Sequence, residues 1–289
     1  IVSDRAKPNE LLTLLLSKRG TYVSGEDISK DFGVTRSAIW KQVNALRDMG
    51  YVIDSAPRLG YKLVKSPDRL YPEEIWSRQN LDCLGKKIYY KVMVDSTNDE
   101  AKKLAQEGAD HGTLVIAEKQ QRGRGRLGRM WSSPIGGLWF SVILRPDLSP
   151  IEAPKFTILS AVAVTEAIRK ISEIDATIKW PNDILIDGKK VCGILTEMSA
   201  ELDMVNHIIV GIGINVNNND FLEELKTRSI SLKMATGEHV DRAGLMTMIL
   251  HTFEYYYKLV QTEGFEKVFE IWRGLCDNLG KPVRVIGRR

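Results

Sequence analysis

The 289-residue chain is 43% hydrophobic and 27% charged, with 41 Lys and Arg against 37 Asp and Glu. This is the composition of a globular protein of about two domains, and it excludes disordered, collagenous and coiled-coil chains. No stretch offers the ~18 consecutive apolar residues of a membrane span, and the opening residues lack the basic-plus-apolar pattern of a secretory leader, so no membrane contact is expected. Cys83, Cys192 and Cys276 are isolated, without CxxC spacing, and fit free thiols of a cytoplasmic protein. The opening Ile1 and the basic, strand-like end at Arg289 give the expectation of a fragment at both ends.

Residues 1–65 hold 11 Lys and Arg against 7 Asp and Glu, whereas residues 66–289 balance at 30 of each. A basic module thus precedes a neutral body. Its leucines at 11–16 predict a buried helix stopped by Gly20, and Ser24 with Asp27 predicts a capped helix to about Phe32. Thr35 caps a third helix that runs to Met49. Ile39, Val43 and Leu46 give that helix an apolar stripe, opposite Arg36, Ser37, Trp40, Lys41, Asn44 and Arg47. Two alternating strands, 51–55 and 60–64, follow around Pro57-Arg58-Leu59. The order is that of a winged helix-turn-helix. Arg36, Ser37, Lys41 and Asn44 are expected at base edges and phosphates of a major groove, with Arg58 of the wing at a minor groove. Trp40 either joins them or packs on the wing. A protein-binding winged helix is the alternative, and the local positive charge favours DNA. One such module buries little DNA, so specific binding calls for a dimer on a two-fold site.

After a linker at 66–68 comes a helix near 72–79, and the body then mixes element types. Strands are expected at 88–95, 113–118, 138–144, 177–180, 184–187, 190–198 and 206–216, with Asp187-Gly188 as a hairpin turn and a further strand from 282. Helices are expected at 97–107, 152–172, 242–262 and 264–276. Hairpins in sequence with helices grouped elsewhere indicate an α+β class, a mixed sheet backed by helices.

Residues 118–129 carry five basic side chains and one acid. Gly123 to Gly128 satisfies GxGxxG as a string, but the dinucleotide fingerprint requires a helix to begin there, and Met130-Trp131-Ser132-Ser133-Pro134 follows instead. No GxxxxGK[ST] occurs, so a P-loop is excluded. Arginines at 122, 124, 126 and 129, spaced by glycines, can fork onto carboxylate or phosphate; a non-specific Arg-Gly linker fits poorly between two strands of a neutral body. Asp95–Asn98, Lys179–Asp183, Lys190–Leu195 and Gly211–Asn215 each admit a plain reading as cap, turn or bulge. The four histidines, His111, His207, His239 and His251, lie too far apart for a metal-ligand pair.

Taken together, DSTN at 95–98, GRGRLGR at 123–129, KWPND at 179–183, KVCGIL at 190–195 and GIGIN at 211–215 resemble the biotin protein ligase family, over almost the whole chain and in family order. With the winged helix in front, the chain looks like the bifunctional ligase–repressor members. The resemblance implies a winged helix over 1–65, a class II synthetase-like catalytic domain over 66–276, and a small C-terminal SH3-like barrel of which 277–289 is the truncated start. It implies that ATP, entering with Mg²⁺, converts biotin to biotinyl-5'-AMP, from which the acyl group passes to a lysine of a biotin carboxyl carrier protein, with no structural metal. By the same resemblance Ser96, Thr97, Asn98, Gln120, Arg124, Gly125, Arg126 and Lys190 bind biotin. Arg126, Arg129, Trp131, Asn182, Asp183 and Asn215 face the nucleotide, with Trp131 near adenine. Arg126, Lys190 and Asp183 carry catalysis; a cap or turn role is the alternative for Asp183. The adenylate is further expected to act as corepressor, promoting a homodimer on operator DNA. Leu127 stands where some members carry arginine. A lipoate or octanoate ligase is the nearest alternative, disfavoured by the polar Ser96-Thr97-Asn98. A non-catalytic ligand-sensing regulator is the other, disfavoured by Arg126 and Lys190.

Overall fold

The computed structural model of the chain describes residues 9–282 apart from 220 and 222. The strand expected from 282 and most of the barrel start expected over 277–289 lie outside the described residues. Two compact units are present, changing over between Gln79 and Asn80.

In the first unit α1 (Glu10–Ser17), α2 (Gly25–Phe32) and α3 (Arg36–Asp48) precede an antiparallel wing of β1 (Val52–Ala56) and β2 (Gly60–Lys65). Side-chain oxygens open all three helices: Asn9 accepts the Leu12 N–H, Ser24 those of Glu26 and Asp27, and Thr35 that of Ala38. Leu12 and Leu15 of α1, Ile28 of α2, Ile39 and Val43 of α3 and Leu63 of the wing share one core. Gly60 sits at φ 101°, and a Cβ there would fall 2.0 Å from the Val23 carbonyl oxygen, so only glycine lets the wing close on that segment. The short α4 (Pro72–Trp76) groups with this unit rather than with the second. Glu73 accepts the Asn9 N–H at 3.0 Å, and Tyr71 stacks on Tyr51 with centroids 6.0 Å apart.

The second unit is built on one seven-stranded sheet. Its strands are β3 (Ile88–Val94), β4 (Leu114–Gln120), β5 (Leu138–Leu144), β6 (Thr177–Lys179), β7 (Asp183–Ile186), β8 (Lys189–Glu201) and β9 (Met204–Ile214), in the order β3-β4-β5-β9-β8-β7-β6. Only β3 and β4 run parallel, and α5 (Thr97–Gln106) makes the crossover between them. α5 packs Ala101 and Ala105 against Val115, Ile143 and Ile209 of the sheet. The long α6 (Lys155–Ser172) packs on β6 to β9 and against α8 (Arg242–Glu263) and α9 (Glu266–Leu275). Its small buried residues, Ala161, Ala163 and Ala167, allow that close approach. These bounds agree with the expected helices to within three residues. One further turn of helix, α7 (Leu232–Thr236), capped by Ser231, has no periodic signal long enough to be seen.

Three buried charges organise this unit. Arg242, 1% exposed, pairs with Glu118, 0% exposed, at 2.9 Å, and also donates to the Gly137 carbonyl at 2.7 Å. Glu254 on α8 accepts the N–H groups of Asp82, Cys83 and Leu84 at 2.7, 3.0 and 2.9 Å and pairs with Lys258. Burial works to raise the Glu254 pKa, but these donors outweigh it and bring it down to about 2. The unfolded chain takes up this proton near 4.5, the folded chain only near 2, so the carboxylate stabilises the fold above pH 4.5 and loses that contribution as pH falls to about 2. Glu254→Gln is therefore expected to be about 2–3 kcal/mol less stable than the parent at neutral pH. The gap should close toward acid in denaturant titrations; a gap that stays constant with pH would contradict this role.

Candidate active site

On the sheet face that carries α5, β9 presents Ile209, Gly211 and Gly213 in turn, because alternate residues share a face. Ile209 packs under the helix. Past the helix start the two glycines, with Gly193 paired to Gly213 on β8, let side chains of the cleft lie directly on the sheet. Clearances are small: a Cβ on Gly211 would lie 2.0 Å from Asn98 Oδ1, and one on Gly213 2.4 Å from Trp131 Nε1. The glycines floor a cleft of about 770 Å³, a size suited to a cofactor-sized molecule. Gly211→Ala should displace Asn98 and cost about 1–3 kcal/mol by overpacking. Calorimetry checks this, and an unchanged melting temperature would show that the clearance is not limiting.

One wall of the cleft is a closed polar network. The Thr97 N–H and Oγ1 both donate to Gln120 Oε1, at 2.8 and 3.1 Å, so the first turn of α5 is satisfied by the end of β4. Gln120 Nε2 donates to Ser133 Oγ at 2.8 Å. The Ser141 hydroxyl on β5 faces both Thr97 Oγ1 at 2.8 Å and Asn98 Oδ1 at 2.6 Å. Asn98 Nδ2 donates to Glu197 Oε2 at 2.9 Å and to the Leu195 carbonyl at 3.3 Å. Ser96 is buried beside them. Such a wall interleaves oxygen acceptors with amide N–H donors, the complement of a polar ring and not of an alkyl chain.

The arginine segment leaves β4 as an irregular hairpin. Gln120 N–H donates to Ser133 O at 3.0 Å, Trp131 N–H to Gly123 O at 2.8 Å and Gly125 N–H to Arg129 O at 2.7 Å. The tip turns through Leu127 and Gly128, at φ 59° and 70°. Arg124 reaches Asp99 at 2.7 Å and Glu197 at 2.8 Å. Arg126 donates to Asn182 Oδ1 at 3.2 Å, and Asn182 Nδ2 donates in turn to Ile194 O at 3.0 Å. Arg129 is exposed at the rim. On the β7–β8 side Lys190 pairs with Asp183 at 2.6 Å and stands 5.0 Å from the Trp131 ring centroid. Trp131, expected near adenine, thus lies between the glycine floor and Lys190. Asn215 is buried and accepts from Asn218 Nδ2 at 3.1 Å.

Every residue assigned from the sequence to biotin or to the nucleotide lines this one cleft. The structure adds Glu197, Ser133 and Ser141, which belong to no motif, and Phe221, Leu225, Thr227 and Arg228 from an irregular segment without periodicity. That segment is held by the Lys190 backbone: Lys190 N–H donates to Arg228 O at 2.8 Å and Ile230 N–H to Lys190 O at 3.1 Å. Burial works to raise the Glu197 pKa, but the Asn98 hydrogen bond, Arg124 and Lys102 outweigh it and hold the group below the usual carboxylate value. Burial pushes the Cys192 thiol well up, which removes it as a nucleophile despite its place in the KVCGIL segment.

In the first unit Arg36, Ser37, Trp40 and Lys41 are exposed along α3, Asn44 is half-buried, and Arg58 is exposed at the wing turn at φ 66°. Trp40 is 56% exposed, so it stands on the outer face rather than packed on the wing. Arg47 departs from the outward position expected for it. Its guanidinium donates to Ile53 O at 2.8 Å, Ser55 Oγ at 3.3 Å and Asn44 Oδ1 at 3.1 Å, fixing the wing to α3.

Among the described residues no group of three His, Cys, Asp or Glu could hold a metal ion, and no helix is long and apolar enough to cross a membrane. Residues 89–215, which take in most of the lining of the glycine-floored cleft, match the biotin/lipoate A/B protein ligase family, and residues 8–62 match an HTH domain. The chain is 43% identical over 278 residues to the bifunctional ligase/repressor BirA of Bacillus subtilis, a match covering 95% of this chain and 86% of that protein. The chain belongs to the biotin/lipoate A/B protein ligase family. This family member is also 30% identical over 286 residues to the bifunctional ligase/repressor BirA of Escherichia coli K12, covering 99% of this chain and 87% of the other. Its fold matches the biotin protein ligase from Aquifex aeolicus in complex with biotin and ATP, at a TM-score of 0.60 and 34% identity over 68% of this chain and 81% of that one.

Proposed function

We infer that the chain is an ATP-dependent biotin–protein ligase that forms biotinyl-5'-AMP and passes the acyl group to a lysine of a biotin carboxyl carrier protein, and that it also acts as a biotin-responsive transcriptional repressor. The observation that carries the reading is the meeting, across one glycine floor, of a polar wall (Thr97, Asn98, Gln120), an arginine hairpin (Arg124, Arg126) and Lys190. The kinship with proteins named ligase/repressor supports both halves.

A carboxylate is a poor acyl donor, because attack by an amine would have to expel oxide. In the first step a carboxylate oxygen of biotin attacks the α-phosphorus of ATP, and pyrophosphate leaves with the electrons of the broken P–O bond. In the second an unprotonated lysine amine attacks the acyl carbon, AMP leaves and the new amide nitrogen gives up a proton. The first step brings two anions together, so catalysis is positioning and charge neutralisation. Arg126 and Lys190 supply cations to the cleft, Arg126 meeting Asn182 at 3.2 Å and Lys190 held by the adjacent Asp183 at 2.6 Å. Mg²⁺ enters on the triphosphate as part of the substrate, with Asp183 as the carboxylate in the cleft lining able to meet it. The polar wall suits the ureido ring of biotin better than a lipoyl or octanoyl chain.

The exposed basic face of α3 and the wing support operator DNA as the second partner, and the small footprint of one winged helix supports a ligand-promoted homodimer on a two-fold site. Exchange of labelled pyrophosphate into ATP tests the ligase. Exchange is expected with biotin; exchange with lipoate or octanoate instead would move the chain to the acyl-ligase branch, and none with any acid would leave a ligand sensor. Operator footprinting with and without biotin plus ATP tests the repressor, and equal occupancy would remove the coupling between the two activities.

A further inference from the structure

Glu197 sits on β8 two residues beyond Leu195, on the face of the glycine floor, and its carboxylate ties together three groups. Oε2 accepts from Asn98 Nδ2 at 2.9 Å and from Arg124 Nη2 at 2.8 Å, and Oε1 from Lys102 Nζ at 3.2 Å. The first donor belongs to the polar wall, the second to the hairpin and the third to the body of α5. A carboxylate held ionised accepts hydrogen bonds and cannot donate them. The Leu195 carbonyl beside it also only accepts. Asn98 must therefore turn Nδ2 toward this pair, which leaves Oδ1 facing Ser141 and the floor at Gly211. An amide free to rotate by half a turn would present donor and acceptor interchangeably; this one is locked.

We propose that Glu197 is a positioning residue of the ligase site, which fixes the Asn98 amide with its oxygen as the available acceptor and tethers Arg124 of the hairpin to the same point. The proposal rests on the biotin reading and deepens it. With Asn98 locked as an acceptor, the cleft selects a ring that offers an N–H at that place. With Arg124 on the same oxygen, hairpin position and head-group recognition share one anchor, so disturbing either disturbs both.

Glu197→Gln keeps the shape of the side chain but lets it donate, so Asn98 can turn over and Arg124 loses its counter-charge. In biotin-dependent pyrophosphate exchange, KM for biotin should rise about tenfold or more, the size of one lost charge-assisted hydrogen bond. kcat at saturating biotin and KM for ATP should stay within about threefold, a split that general loosening of the fold would not produce. Discrimination against a biotin N-methylated on the ureido ring should fall about tenfold, because a rotated amide no longer demands an N–H. Glu197→Asp, which keeps the charge on a shorter stem, should lie between the parent and Glu197→Gln, and it carries the same test should the latter fail to fold. Combining Glu197→Gln with Arg124→Met should raise KM by less than the product of the single effects, since both remove one contact. An unchanged biotin KM in a folded Glu197 variant, beside a parent that exchanges normally, overturns the proposal alone. A parent that shows no biotin-dependent exchange overturns the biotin reading on which it stands.

Discussion

Replacing Lys190 by glutamine is expected to slow biotin-dependent adenylate formation by about 100- to 1,000-fold while leaving the fold intact. Lys190 leaves the start of β8 next to the β7–β8 turn, where its backbone is pinned by Arg228 and Ile230 and its ammonium is aimed by Asp183 at 2.6 Å. That aim is set before any chemistry, which is the condition for a cation to stabilise charge as it develops without reorganisation. Glutamine removes the cation and also strands the Asp183 carboxylate where two anionic substrates have to meet, so repulsion is added as well as attraction lost. Single-turnover formation of labelled adenylate reads the effect directly. A loss smaller than about tenfold would take Lys190 out of the neutralising role and leave Arg126 to carry it.

Arg242→Met should be the most damaging single change to stability, at about 3–5 kcal/mol, because it leaves the Glu118 carboxylate charged and buried without its counter-ion. Glu118 is 0% exposed and also accepts from Tyr90 Oη at 3.1 Å. The double variant Glu118→Gln with Arg242→Met should recover part of the loss, since it removes the stranded charge rather than the pair's attraction. Guanidinium unfolding of the three proteins checks the order. If the double variant were no more stable than Arg242→Met, the packing of the arginine, and not the buried charge, would be the dominant contribution.

Much of this molecule can be read from its amino acids because local signals and burial agree. Ser24 and Thr35 announce helix starts, and Ile39, Val43 and Leu46 recur at a helical period and are all buried. The cleft was legible for a different reason: DSTN, KWPND and GIGIN each admit a plain cap, turn or bulge, but with the arginine-glycine run they carry the family resemblance together, and all reach one floor. What escaped were groups that act through tertiary contact alone. Glu197 is one polar residue on a strand edge-on to the cleft, and nothing in its neighbours marks it until Asn98 and Arg124 arrive from 99 and 73 residues away. Arg47 falls on the outward side of α3 by spacing, yet its long side chain bends back to the wing carbonyl of Ile53, a choice that helical periodicity cannot see. The boundary near Gln79 was missed because Ser66-Pro67-Asp68 has linker composition, while tertiary contacts, among them the Glu73–Asn9 hydrogen bond and the Glu74–Arg19 ion pair, group α4 with the first unit.

The grip of Arg242 has a mechanical meaning for the arginine segment. One guanidinium holds Glu118, near the end of the strand entering the hairpin, and the Gly137 carbonyl, just before the strand leaving it. Both roots are clamped to a single rigid post on α8, so the spacing of the base is constant whatever the outer residues do. Any displacement of Arg124 and Arg126 that kept this clamp would be a movement of the far end alone, like an oar in a fixed rowlock, with the sheet beneath it unchanged.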